Sequence, residues 1–180
     1  MFVLRRATAG DETPVAEMIL ARSSWMRQQG VSGWDGWESS APVLAAQAAD
    51  PAFPVWVLAR EGGEIVGCTS LYEESPAWFW TDAERAEPAF YLATTVTHPE
   101  LAGLRMGAQI AWSVLDLAAR SGRKWVRRGA TEPGLIRYYR DVQHWEVVRT
   151  IDHKGVIFTG MARLAERQPG LSVRVDDDQA

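Results

Sequence analysis

The sequence predicts an α+β fold: a mixed, mostly antiparallel sheet of six to seven strands flanked by about four helices. Three observations lead there. Two pairs of short β-rich runs are separated by turn residues, around Glu61-Gly62-Gly63-Glu64 and before Gly155, as in hairpins. Between them, a β-rich run, the most regular helical stripe and another β-rich run form one β-α-β crossover, which turns the middle of the sheet parallel. The chain has 180 residues, 47% of them apolar, enough for one core without a disulfide or metal staple.

The elements follow in order. Phe2 to Arg6 is a short strand. Thr8 can cap the helix that follows, Asp11 and Glu12 suit its positive end, and Pro14 falls in its first turn. Val15, Met18 and Ile19 keep a helical spacing, and Gly30 ends the run. Val31 to Trp37 is a loop rich in glycine and tryptophan, and Pro42 to Ala49 is a second helix closed by Asp50-Pro51. Val55–Ala59 and Ile65–Tyr72 are hairpin strands. Residues 73 to 89 hold no clear period and are read as a loop. Phe90–Thr97 is a strand ended by His98-Pro99. Ile110, Val114, Leu117 and Ala118 form one stripe of the helix Gly107–Arg120, which Ser121-Gly122 closes. Lys124–Ala130 is a strand, and Pro133–Arg140 a helix opened by its proline. Trp145–Ile151 and Gly155–Met161 are the last strands. The domain spans 1–167, and residues 168–180, with Asp176-Asp177-Asp178, read as a frayed acidic tail.

Composition excludes several functions. Cys68 is the only cysteine, so there is no internal disulfide and no multi-cysteine zinc site. The net charge of −4, from 19 basic and 23 acidic residues, argues against broad nucleic-acid binding. No run approaches 18 apolar residues, and the apolar start is too short for a signal segment. The chain reads as a cytoplasmic protein without membrane attachment. His98, His144 and His153 lack metal-ligand spacing, so no metal is expected. No nucleophile elbow or phosphate-binding P-loop occurs.

The most informative stretch runs from Val96 through His98-Pro99 and Ala102-Gly103-Leu104-Arg105-Met106-Gly107-Ala108 into the long helix. A buried strand leads through a glycine-bearing loop to a helix start, whose unpaired N–H groups and dipole favour an anion. Read alone, it is also an ordinary strand-loop-helix connection. With the order of elements around it, the sequence resembles the Gcn5-related N-acetyltransferase (GNAT) superfamily, as a small bacterial-type member. The family pattern is V-x-P, then Q/R-x-x-G-x-G/A and a helix. Val96-Thr97-His98-Pro99 matches the first part with one extra residue, Gly107 takes the last position, and Ala108 is the usual small residue after it. Ala102 stands where the family prefers Gln or Arg, and Arg105 where it prefers Gly. A second family element, N-x-x-A/L-x-x-x-Y followed by Gly-Phe, is met at Leu135 and Tyr139, with Glu132 in place of the Asn and His144-Trp145 in place of Gly-Phe, one residue later than usual. The resemblance covers about 2–161.

The resemblance implies a sheet splayed between its fourth and fifth strands, with acetyl-CoA in the gap. Thr94, Thr95 and Val96 would pair with its pantetheine amides, and Leu104, Arg105, Met106, Gly107 and Ala108 would hold its pyrophosphate. It implies Tyr139 as the acid for the leaving thiolate, with Tyr138 second. Candidate bases are Glu73 first, then Glu74, Glu87, Tyr91 and Glu132. Trp25, Trp34 and Trp37 fall in the family's substrate loop, and Trp78, Trp80 and Tyr91 lie in or near the fourth strand's approach. Such aromatic walls suit a small apolar or aromatic amine. The basic residues Lys124, Arg127, Arg128, Arg137 and Arg140 read as a solvated face, or as a contact to the 3′-phosphate of CoA. The expected function is acetyl transfer from acetyl-CoA to a small amine by direct attack in a ternary complex. The alternatives are a non-catalytic CoA- or ligand-binding module on the same scaffold, and a structural or homodimeric domain joined through exposed tryptophans.

Overall fold

The computed structural model describes residues 1–177, so Asp178 in the expected tail lies outside it. The chain forms two compact units. The first comprises residues 1–70, 94–110 and the segment from 171; the second comprises 71–93 and 111–170.

The first unit holds β1 (Phe2–Arg6), α1 (Glu12–Gln28), α2 (Trp34–Ala49), β2 (Val55–Arg60) and most of β3 (Ile65–Tyr72). It also holds the end of β4 (Ala89–Thr97), the start of α4 (Met106–Arg120) and β8 (Val173–Asp176). Its strand order is β8-β1-β2-β3, with the end of β4 beside β3. β1 runs antiparallel to β2 with Leu4 opposite Leu58, and β2 antiparallel to β3 with Val57 opposite Cys68. The apolar sides of α1 (Val15, Met18, Ile19) and α2 (Ala41, Ala45, Ala48) pack on Val57, Cys68 and Val96. Small alanines let α2 lie close to its neighbours. At the entry to α1, Arg5 donates to both Asp11 carboxylate oxygens, at 2.8 and 2.9 Å.

Two expectations are corrected in this unit. The second helix starts at Trp34 and not at Pro42, so Trp34 and Trp37 are helical rather than in a loop. Pro42 cannot donate to the carbonyl of Glu38, which is why it reads as a helix start, but the helix runs through it. Residues 173–176 are not a frayed tail: they form β8, parallel to β1, with Phe2 opposite Val173 and Leu4 opposite Val175.

The second unit holds the start of β4, the rest of α4, α3 (Asp82–Arg85), β5 (Trp125–Ala130), α5 (Pro133–Gln143), β6 (Glu146–His153) and β7 (Val156–Leu164). Its strand order is β4-β5-β7-β6. β4 and β5 are parallel, with Ala89 opposite Trp125, and β5 and β7 antiparallel. The 73–89 segment is not all loop, because α3 lies within it. The signal was Thr81-x-x-Glu84, a capping box: Thr81 N donates to Glu84 Oε2 at 2.8 Å and Glu84 N to Thr81 Oγ1 at 3.2 Å. Arg149 on β6 bridges Glu84 Oε2 and the Phe79 carbonyl, at 3.1 and 3.0 Å.

An aromatic core fills this unit, with Phe79, Trp80 and Tyr91 buried together and Phe158 and Trp125 packed against them. It depends on a glycine pair, Gly129 opposite Gly160 across β5 and β7. A Cβ on Gly129 would stand 1.8 Å from the Phe158 ring, and one on Gly160 2.1 Å from that of Phe79. The bare backbone is the seat of both rings. Eight strands and five α-helices thus stand among the described residues, against six to seven and about four expected. No described helix is long and apolar enough to cross a membrane.

Two outcomes follow from this packing. Gly160→Ala must displace a buried ring already confined by Trp78, Trp80 and Phe158, and should cost about 1–3 kcal/mol in urea unfolding. The bond from Arg149 pushes the Glu84 carboxyl down to about 2, against an ordinary value of 4.5. Its stabilisation is therefore complete above the unfolded value and is lost as pH falls towards about 2. Glu84→Gln should be less stable than the parent by about 1–3 kcal/mol at pH 7, and unfolding curves of the two should converge at acid pH.

Candidate functional site

The first unit carries an open strand end and a helix start. The register of β4 with β5 ends at Tyr91 opposite Arg127. Three residues beyond it, Thr94 has φ +51°, an outlier for a β-branched residue that costs about 1–2 kcal/mol. The inversion re-aims the strand, and the rest of β4 follows β3. Thr95 Oγ1 meets Thr69 Oγ1 at 2.9 Å, and His98 N donates to the Val66 carbonyl at 2.8 Å. Gly67 permits this approach: a Cβ there would lie 3.2 Å from Ile110 and 3.3 Å from the Val96 carbonyl.

Pro99–Leu101 then form one 3₁₀ turn, Gly103 takes φ +91°, and Arg105 takes φ +54° as the chain enters α4. The Arg105 carbonyl accepts from Ala108 N at 2.9 Å and Gln109 N at 3.0 Å, which starts the helix. The N–H groups of Met106 and Gly107 have no acceptor within the helix, and its first turn bears no acidic residue. Space is open above Gly107, where a Cβ would meet nothing within 4 Å. A strand edge leading to an open helix start offers an amide ladder followed by an anion cradle. Those are the two surfaces that the amides and pyrophosphate of acetyl-CoA require, so the residues fit that co-substrate.

A cavity of about 320 Å³ opens in the same unit, lined by Gly33, Gly36, Trp37, Ser40, Leu44 and Thr94. None of these side chains is charged. Gly36, Trp37, Ser40 and Leu44 share one face of α2, spaced i, i+1, i+4 and i+8, and Gly33 is the residue that caps its start. Of the predicted tryptophans only Trp37 lines it. Trp25 lies under Arg22 at 4.7 Å and Trp34 under Arg27 at 5.3 Å. Ser40 and the two glycines were missed because the start of α2 was not read as helix; Leu44 lies inside the helix expected from Pro42 and carries no signal of its own.

In the second unit, Trp80 and Tyr91 belong to the aromatic core rather than to an open wall, and Trp78 stacks on His153 at 4.2 Å. Tyr139 is buried on the inner side of α5, and Tyr138 is half-buried. Glu73 is exposed and pairs with Arg123 at 3.1 Å. Glu87 pairs with Lys124 and accepts from Trp125 Nε1 at 2.9 Å. Arg127 and Arg128 are not part of a solvated face; both are buried. Arg127 is held by Ser75 Oγ at 3.2 Å, the Glu84 carbonyl at 2.6 Å and Glu87 at 3.5 Å. Among the described residues no group of three or more His, Cys, Asp or Glu is arranged to hold a metal.

Residues 20–144 match the acetyltransferase (GNAT) family. The chain belongs to that family. Solved structures with the same fold include a GNAT-family acetyltransferase from Listeria monocytogenes, with TM-score 0.69 and 14% identity over 91% of this chain and 94% of that one. The structure of yncA from Salmonella typhimurium, with its cofactor acetyl-CoA, has TM-score 0.56 and 16% identity over 94% and 97%. A spermidine N-acetyltransferase chimera from Vibrio cholerae and hSSAT has TM-score 0.61 and 14% identity over 91% and 95%. No curated protein matches the sequence.

The torsions bear on two departures from the pattern that the sequence resembles. Arg105 and His144 each stand where that pattern has glycine, and each sits at positive φ, +54° and +58°. His144 is the left-handed residue that ends α5, where glycine is usual. Arg105→Gly and His144→Gly should each raise stability by about 0.5–1 kcal/mol in thermal or urea melts, because relief of backbone strain exceeds the added unfolded-state entropy.

Proposed function

We infer that the protein transfers the acetyl group of acetyl-CoA to the amine of a small, uncharged-bodied apolar or aromatic molecule, by direct attack in a ternary complex. The observation that carries this reading is the open end of β4 at Thr94, leading in one unit to the bare start of α4 and bordering a cavity with no charged lining. In this reading Thr94, Thr95 and Val96 pair with the pantetheine amides. The N–H groups from Leu104 to Ala108 hold the pyrophosphate, and Arg105 adds a positive charge there. Bound acetyl-CoA supplies an activated thioester acyl group. Trp37, Ser40 and Leu44 receive the acceptor, with the ring of Trp37 as an apolar wall.

Transfer also requires loss of a proton from the acceptor ammonium and, for the departing thiolate, a proton gained. Glu73 is assigned the first role, directly or through water, and Tyr139 the second. No cysteine or serine is called on as an acyl carrier: Cys68 is buried and its thiol is pushed up to about 12 by desolvation, which suppresses the thiolate.

The test is a thermal melt with acetyl-CoA, CoA and ATP, followed by an amine panel. At about 100 times Kd a ligand adds about 2.7 kcal/mol, a rise of about 5–10 °C for a chain of this size. Acetyl-CoA and CoA should raise Tm and ATP should not. Tyr139→Phe should lower kcat about 10- to 100-fold with the acetyl-CoA Kd unchanged. Trp37→Ala should raise the acceptor KM and leave acetyl-CoA binding intact. Binding of acetyl-CoA without turnover across the panel would favour the non-catalytic reading instead.

A further inference from the structure

Arg128 on β5 is buried, 4% exposed, and no carboxylate among the described residues pairs with it. Its neighbour Arg127 has carboxylate, hydroxyl and carbonyl partners; Arg128 has aromatic ones. Its guanidinium carbon lies 3.4 Å from the ring centroid of Tyr139 and 5.3 Å from that of Trp145. Nη1 donates to Gln143 Oε1 at 3.3 Å, and Trp145 Nε1 donates to the same oxygen at 2.9 Å. Nε finds no acceptor. Burial pulls the guanidinium below its ordinary range, and the opposing influences are the phenols of Tyr139, Tyr91 and Tyr138.

Such a group is costly, and an apolar side chain of similar size would be tolerated at least as well for folding alone. What the cation gains from its surroundings depends on the state of Tyr139. A neutral phenol ring attracts it through the π face only. A phenolate attracts it as an ion, in a site from which water is excluded. The interaction therefore strengthens as Tyr139 loses its proton, the condition under which an interaction speeds a reaction rather than tightening a ground state.

We propose that Arg128 is a positioning residue for Tyr139: it holds the phenol by its face and stabilises the phenolate left when the hydroxyl proton is given up. This rests on the reading of Tyr139 as the acid. In that step the Tyr139 O–H bond breaks, its electron pair stays on the phenolate oxygen, the proton passes to the departing sulfur, and solvent later returns a proton to the oxygen. The other titratable or charged groups that bear on the pair are Tyr138 from α5 itself, whose ring lies 6.1 Å from that of Tyr139, and Tyr91 from β4, which acts on Arg128; Arg163 from β7 meets the end of α5. Arg163 is engaged by the Gln143 carbonyl at 2.6 Å and by Glu166.

The experiment reads the free protein, so it does not depend on turnover. The chain has four tyrosines, and labelling them with 3-fluorotyrosine lets ¹⁹F NMR follow each ionisation over pH. Tyr139→Phe assigns one transition. Arg128→Met should move that transition up by about one pH unit or more, and lower kcat at least tenfold with the acetyl-CoA KM within twofold. Its Tm should be unchanged or higher. Arg128→Gln, equally neutral, gives the same titration readout should Arg128→Met fail to fold. A Tyr139 transition left at its parent midpoint in a folded neutral variant overturns the proposal. A parent protein that binds acetyl-CoA but acetylates no amine would instead overturn the reading of function, with the titration still deciding the Arg128–Tyr139 coupling.

Discussion

Strand β4 gives up its pairing with β5 within its own nine residues, and the candidate site depends on that break. Its first residues pair in parallel with β5, and its last ones follow β3. An uninterrupted parallel ladder would consume the amides on that edge and leave nothing for a ligand. The break is made by Thr94 at positive φ, a conformation that its branched side chain disfavours. Strain of this kind persists only where surrounding structure enforces it, and it gathers at functional sites. Here the enforcement is visible. Gly67 lets β3 and α4 close on the end of β4, and the Thr95–Thr69 hydroxyl contact fixes the side chain that follows the inversion.

The same backbone logic explains the departures from the family pattern. Arg105 and His144 look like losses when only residue types are compared. The torsions show that the backbone shape is kept at both places and that the chain bears the strain of holding it with a Cβ present. The glycine at Gly107 is different: its φ is ordinary and the space above it is empty, so its value lies in access to the helix start. Replacing it with alanine would leave the fold intact and test only that access.

Much of this was legible from the chain alone. Short β-rich runs and the glycine turn between them located β2 and β3, and the apolar stripe located α4. Other features were not, for identifiable reasons. Pro42 masked the first two turns of α2 and with them the face that lines the cavity. A capping box too short to show any period held α3. β8 has only Val173 and Val175 to announce it, and it exists because β1 offers an edge far away in sequence. Arg127 and Arg128 could not be told from a solvated basic pair, since nothing local reveals that Ser75, Glu84, Glu87 and Tyr139 surround them.

The central claim is that the end of β4 and the start of α4 together receive acetyl-CoA. Amide hydrogen exchange with and without acetyl-CoA tests it most directly, because it reads main-chain N–H groups one segment at a time. The account predicts slowed exchange at Thr94–Val96 and at Leu104–Ala108 together, with β1 and β8 unaffected. Protection confined to another part of the chain, or none at saturating acetyl-CoA, would contradict it.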